Sequence, residues 1–164
     1  MRNIVTKLTL GALVCVMLLA AFAPVPAQAK SKGYGFKYSG KTFYMNDKAD
    51  KLLEKLGDYD KRTKKKSCAY DGEDITYTYK DVKVLTYSNK RGGQEYIQSI
   101  IFRTDKVKTA EGIKIGSDEQ DVKDAYNKRA RAVAGRYAFK KGKMSLVIRV
   151  KDGEVTAVSY IADV

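Results

Sequence analysis

Few side chains in this 164-residue sequence could do chemistry, and their types exclude most catalytic centres. The chain has no histidine and two cysteines. A Ser-His-Asp triad, histidine general-base chemistry and histidine-ligated zinc are therefore excluded. Carboxylates remain, and the densest group of them is Asp71, Glu73 and Asp74, with Gly72 among them.

These carboxylates allow two interpretations. They could ligate a hard cation or supply an acid and a base, although their spacing does not complete a calcium-binding loop. Asp71 and Gly72 also stand between two strand-like segments, where an Asp-Gly pair is typical of a hairpin turn because glycine accepts positive φ. We predict a turn, no enzymatic activity, no cofactor, and no catalytic, cofactor-binding or metal-binding residue. An enzyme built on these carboxylates or on Glu111 is the least favoured alternative.

The first 29 residues have the pattern of an export signal. Arg2 and Lys7 precede an apolar run, residues 8–23, that is shorter than the about 20 apolar residues a membrane span needs. A small-residue motif at residues 27–29 follows it, as at a signal-peptidase site. We predict a signal peptide at residues 1–29, cleaved after Ala29, and a secreted, extracytoplasmic protein that the cell wall could retain.

The positions of the two cysteines predict a mature protein that is stabilised by packing and has no internal disulfide. Cys15 lies inside the apolar run and leaves with the signal peptide, so Cys68 cannot form an internal disulfide. Without histidine nearby, Cys68 has no base to make it a nucleophile. We expect Cys68 to be a small buried residue at the start of a strand.

The chain is strongly basic. Its net charge is +13, and +11 remains once the signal peptide has taken two basic residues with it. A surface of this kind attracts polyanions, and outside the cell these would be anionic cell-wall polymer or lipid head groups, whereas nucleic acid is not expected. The alternative is a basic surface that only keeps the protein soluble. The candidate polyanion-binding residues form one dense cluster: Lys61, Arg62, Lys64, Lys65 and Lys66.

The first half of the mature chain predicts a hairpin, a helix and a set of strands. Aromatic residues around Ser39-Gly40 indicate a hairpin, or a strand entering a helix, within residues 36–44. Residues 49–56 have the spacing of an amphipathic helix, with Asn46 or Asp47 as its cap and Gly57 as its stop. Period-two alternation then predicts antiparallel strands, which are residues 75–79, 82–87 and 96–102, with a turn at Gly92-Gly93.

The same order recurs about 70 residues later. Ser117 and Gln120 suggest a capping box before a second helix, and strand patterns follow at residues 137–140, 144–150 and 155–161. One helix on three or four strands buries little surface, so two such units side by side make physical sense. We predict an α+β fold of tandem helix-plus-antiparallel-sheet repeats. Its parts are an N-terminal strand or hairpin segment at 30–43, a first repeat at 44–109 and a second repeat at 110–164.

Several segments resemble uncharacterised exported proteins and lipoproteins of Gram-positive bacteria. The resemblance covers about residues 44–161 and is strongest in residues 68–74, 77–79, 86–87, 99–100 and 109–116. These proteins are similar in architecture to the β-lactamase inhibitory protein. That resemblance implies tandem helix-plus-sheet repeats whose concave, aromatic-lined face grips another protein. This chain departs from the inhibitor by lacking a disulfide pair, and fold similarity alone does not transfer function.

Tyrosine is the residue type best suited to such a face. All 12 tyrosines follow the signal peptide, and the chain has no tryptophan. Tyrosines on an uncovered sheet would form a rigid, amphipathic platform, although each could instead point inward against the helices. We therefore predict a non-enzymatic module that binds an unknown cell-surface or secreted protein, with electrostatic binding to wall polymer or membrane as the alternative. The candidate protein-binding residues are Tyr77, Tyr79, Tyr87, Tyr96 and Tyr160.

Overall fold

A computed structural model describes residues 33–68 and 71–163. The predicted signal peptide and its cleavage site lie outside these residues. The described part forms ten strands and two helices. In chain order they are β1 (Gly35–Tyr38), β2 (Lys41–Tyr44), α1 (Ala49–Leu56), β3 (Lys61–Lys66), β4 (Glu73–Thr78), β5 (Val82–Ser88), β6 (Tyr96–Phe102), β7 (Lys108–Thr109), α2 (Glu119–Tyr126), β8 (Arg136–Lys141), β9 (Met144–Lys151) and β10 (Glu154–Ala162).

The strands belong to two antiparallel sheets. The large sheet has seven strands in the order β3-β4-β5-β6-β10-β9-β8, so β6 and β10 meet at its centre. The small sheet has three strands in the order β2-β1-β7. The α+β class is thus confirmed, with strands predominating over the two helices.

The core lies between one side of the large sheet and a layer formed by α1, the small sheet and α2. At the centre, Phe36 of β1 contacts the ring of Phe102 in β6, with centroids 5.9 Å apart. At one end Leu52 anchors α1, and at the other Tyr126 of α2 stacks on Phe139 of β8 at 4.8 Å. Both helices and the small sheet therefore cover the same side of the large sheet.

Local sequence explains the first hairpin and both helices, but the predicted caps are wrong. Ser39 and Gly40 take φ values of 48° and 71°, the left-handed pair that a tight two-residue hairpin requires. Helix α1 starts after Lys48, and the Asp47 carboxylate instead accepts a hydrogen bond from the Tyr44 N–H at 3.2 Å. Helix α2 starts after Asp118, and the Ser117 hydroxyl accepts from the Lys114 N–H at 3.1 Å. In both cases the predicted capping side chain accepts a hydrogen bond from a backbone N–H in the loop before the helix.

Two further expectations are corrected between β3 and β4. The basic cluster forms strand β3, which the sequence pattern did not indicate because all six of its residues are exposed and no apolar residue marks a buried side. Cys68 is exposed in the loop that follows, and not buried at a strand start. Asp71 and Gly72 lie in the connection between β3 and β4, where the Ser67 N–H donates to the Gly72 carbonyl at 3.0 Å, but Gly72 does not take the positive φ expected of a turn glycine.

Candidate binding face

The large sheet has a second side that neither helix nor the small sheet covers, and we name it the open face. Its residues follow from the strand register, which aligns directly opposed residues across the sheet. Two rows of residues cross all seven strands. From β3 to β8 they are Thr63, Thr76, Leu85, Ser99, Ile161, Ser145 and Lys140, and Lys61, Thr78, Lys83, Ile101, Ser159, Val147 and Ala138.

The middle of the open face is mostly apolar or weakly polar, apart from Lys83 directly opposite Ile101, and it is partly accessible. Leu85 and Ile101 are half-buried, and Ile161 is 36% exposed. Val147 is 5% exposed, although it is not part of the core between the layers. Small hydroxyl side chains such as Ser159 lie between these groups and do not project far, so another protein could contact the apolar side chains beside them.

The structure divides the five predicted tyrosines between the two sides of the large sheet. Tyr87 and Tyr96 are directly opposed on the open face, where their ring centroids lie 5.4 Å apart, and Tyr96 is 42% exposed. Tyr77, Tyr79 and Tyr160 are buried on the covered side. The open face therefore presents two of these tyrosines, and the other three belong to the core.

Two of the buried tyrosines have hydrogen-bond partners. The Tyr160 hydroxyl donates to the Gly35 carbonyl at 2.7 Å and so ties the large sheet to the small one. The Tyr77 hydroxyl donates to Glu95 at 2.9 Å and accepts from the Arg62 Nε at 3.1 Å. The Tyr79 hydroxyl has no partner within the described part of the chain, and burial raises the pKa of Tyr79 to about 12.

The difference between Tyr77 and Tyr79 gives a testable prediction. Tyr79→Phe removes an unpaired buried hydroxyl, so we expect the free energy of unfolding to stay the same or rise by up to about 1 kcal/mol. Tyr77→Phe removes the hydrogen bonds that the Tyr77 hydroxyl makes with Glu95 and Arg62, and it should lower the free energy of unfolding by about 1–2 kcal/mol. Urea unfolding of both variants measures the difference. A loss at Tyr79 as large as that at Tyr77 would contradict this assignment.

The basic cluster of β3 is also divided between the two sides of the sheet. Lys61 and Lys65 lie on the open face, opposite Thr78 and Asp74. The other three lie on the covered side, opposite Tyr77, Ile75 and Glu73, and are Arg62, Lys64 and Lys66.

Two of the cations on the covered side already have acidic partners. Lys64 pairs with Glu73 at 2.6 Å, and Arg62 pairs with Glu95 at 3.5 Å. Hydrogen bonds from the Lys64 ammonium and the Gly92 N–H lower the pKa of Glu73. The five cations therefore do not form one free polyanion-binding surface.

The predicted carboxylates do not all converge, although Asp71 and Glu73 line one cavity together with Lys66 and Arg91. Glu73 and Asp74 are neighbours in β4 and so point to opposite sides of the sheet. Glu111 follows β7 and accepts a hydrogen bond from the Tyr126 hydroxyl at 2.7 Å. The described residues contain no cluster of three or more side chains that could hold a metal ion.

Sequence reasoning missed the two arginines at one end of the open face. Arg136 of β8 lies directly opposite Arg149 of β9, and Ala157 of β10 continues the row. The alternation of β8 and β9 shows that each residue points away from the apolar side of its own strand. The alternation does not show that the two residues face each other, because this depends on the register of the β8–β9 hairpin.

Comparisons with known proteins add no relative. No protein-family model matches the chain, and no curated protein or solved structure is significantly similar to it. Among the described residues, no helix is long and apolar enough to cross a membrane. The class of protein is therefore defined by its own structure: an α+β protein, mostly β, whose seven-stranded sheet is covered on one side.

Proposed function

We propose that this protein is a secreted, non-enzymatic binding module that recognises a protein at the cell surface through the open face. The observation that carries the proposal is the uncovered side of a seven-stranded sheet, with a mostly apolar middle and the Tyr87–Tyr96 pair, in which Tyr96 is exposed and Tyr87 half-buried. Rings held by a sheet lose little conformational freedom on binding, and tyrosine is enriched at protein interfaces. A partner that covers the face would remove both apolar and aromatic surface from water.

The fold we propose for this module is a tandem repeat like that of the β-lactamase inhibitory protein. Helices α1 and α2 each have eight residues and begin 70 residues apart, and their buried anchors, Leu52 and Val122, have the same spacing. Each helix is followed by strands that run from an edge of the large sheet to its centre, where β6 and β10 pair. Two similar units joined through their last strands would produce this strand order.

Site-specific photo-cross-linking tests the proposed face. The photoreactive residue p-benzoylphenylalanine would replace Tyr96 in one protein and Tyr59 in a control, and each would be irradiated with the exported proteins of the producing cell. Tyr59 is a matched control because it is 48% exposed and packs edge-on against Tyr77, on the covered side. We expect a discrete adduct from position 96 and none of that size from position 59.

A second variant shows whether the adduct requires the whole face. Ile101 lies near the centre of the open face, and Ile101→Glu places a charge where apolar surface would be buried. The adduct from position 96 should disappear in this background. Equal adducts from positions 59 and 96, or none from either, would contradict the proposal.

A further inference from the structure

We propose that the protein bound at the open face is acidic there, and that Arg136 and Arg149 receive its carboxylates. This inference rests on the proposed function, because it names the chemistry of the partner at the same face. Its basis is a cross-strand pair of arginines, the balance of charge over the face and the apolar rows beside the pair.

The two arginines are held in an arrangement that the isolated fold does not favour. Arg136 and Arg149 are directly opposed on neighbouring strands, and both are exposed. In the part of the chain that the structure describes, neither forms a salt bridge. Like charges directly opposite each other in a sheet are destabilising, and a guanidinium group cannot relieve this by losing its proton. A carboxylate that bonds to both groups would offset the repulsion.

The rest of the open face adds to this positive field. Its other cations are Lys61, Lys65, Lys83, Lys140 and Lys151. Lys140 already has a partner, Asp163, at 2.8 Å. Besides Asp163, the open face carries two carboxylates, Asp74 beside Lys65 and Glu154 opposite Lys151, so its cations outnumber its carboxylates. A partner with acidic side chains would be attracted to this side of the molecule and oriented by the charges near its edges.

The apolar rows favour a protein over an anionic polymer. Val147 lies two residues before Arg149 on the same side of β9, in the row that contains Ile101. A phosphate-bearing polymer would satisfy the arginines and leave the accessible parts of Ile101 and Ile161 in water. A protein surface supplies carboxylates for the guanidinium groups together with apolar side chains for the middle of the sheet.

A random-peptide display library is a suitable probe, because it presents acidic and apolar side chains without assuming the partner. The library would be selected on the immobilised secreted protein, and peptides that Ile101→Glu blocks would be kept as ligands of the open face. We expect these peptides to combine Asp or Glu with apolar or aromatic residues. They should bind the double variant Arg136→Gln/Arg149→Gln at least about tenfold more weakly.

The matched control removes the same charge elsewhere. Lys128 and Arg129 are exposed in the loop after α2, outside the open face, so Lys128→Gln/Arg129→Gln tests the effect of net charge alone. We expect this control to weaken binding by less than about threefold. Arg149→Lys keeps the charge without the planar fork and should give an intermediate loss. Because the double variant relieves a repulsion, it should unfold at a temperature no lower than that of the unchanged protein.

The outcomes separate this inference from the proposed function. The acidic partner is contradicted if the peptides blocked by Ile101→Glu show no acidic enrichment, or if they bind the arginine double variant as tightly as the unchanged protein. In either case the open face remains the proposed binding site. If the two double variants weaken binding equally, net charge explains the effect and the arginine pair has no special role. If Ile101→Glu blocks no selected peptide, the open face itself is contradicted and both proposals fail.

Discussion

Replacement of Gly72 by alanine should destabilise the protein by about 3 kcal/mol or more. A Cβ atom at this position would lie 1.6 Å from the carbonyl oxygen of Ser88 and 2.7 Å from its carbonyl carbon. Both atoms belong to the backbone at the end of β5, which pairs with β4 through Glu73 and Ser88. The added methyl group can be accommodated only if the two strands separate there. The variant should therefore unfold at lower urea concentration and lose protection of the amides where β4 and β5 pair.

The matched control is Gly142, in the turn between β8 and β9. Its φ is +60°, and a Cβ atom there would meet no heavy atom within 4 Å. Gly142→Ala should therefore cost only the penalty of a left-handed alanine, about 1–2 kcal/mol. Gly72 does not take a positive φ, so only the close approach of Ser88 requires glycine there. A loss for Gly72→Ala no larger than that for Gly142→Ala would contradict this explanation.

Phe36→Ala should have a comparably large effect, about 3–5 kcal/mol, because it leaves a cavity where the two sheets meet. Phe36 is fully buried, stacks on Phe43 at 4.8 Å and contacts Phe102 at 5.9 Å. Its loss removes contacts both within the small sheet and between the two sheets. Thermal and urea unfolding would measure the change.

The neighbouring residue serves as the control. Lys37 is exposed on the same strand, so Lys37→Ala should change the free energy of unfolding by no more than about 0.5 kcal/mol. A loss below about 1 kcal/mol for Phe36→Ala would mean that the small sheet is dispensable for the fold. In that case residues 35–44 would be an appendage, although β1 pairs with both β2 and β7.

Sequence periodicity predicts the elements of this fold that bury a continuous apolar stripe. Helices α1 and α2 were predicted because Leu52 and Val122 lie in stripes of apolar residues that repeat at helical spacing. Strands β4, β5, β6, β8, β9 and β10 were predicted because buried and partly exposed residues alternate along most of them. In each case the buried side of the element appears in the sequence as apolar residues that recur with the period of a helix or a strand.

What the sequence could not predict is set by tertiary structure. Strand β3 has no buried residue, so only its pairing with β4 makes it a strand. The spacing of Tyr77 and Tyr79 places them on one side of the sheet, but the alternation does not say which side the helices cover. Arg136 and Arg149 are 13 positions apart in the chain, and they meet only because the turn at Gly142 sets the register of β8 and β9.

The position of the basic strand has a consequence for the behaviour of the protein in solution. β3 is one edge of the large sheet and β8 is the other, so each presents unpaired backbone groups to which a strand of another molecule could bond. Five of the six residues of β3 are cations, and β8 carries Arg136, Lys140 and Lys141. Two copies approaching edge to edge would bring these charges together. Repulsion between these charges would oppose extension of the sheet into an aggregate, whether or not the strand ever meets a polyanion.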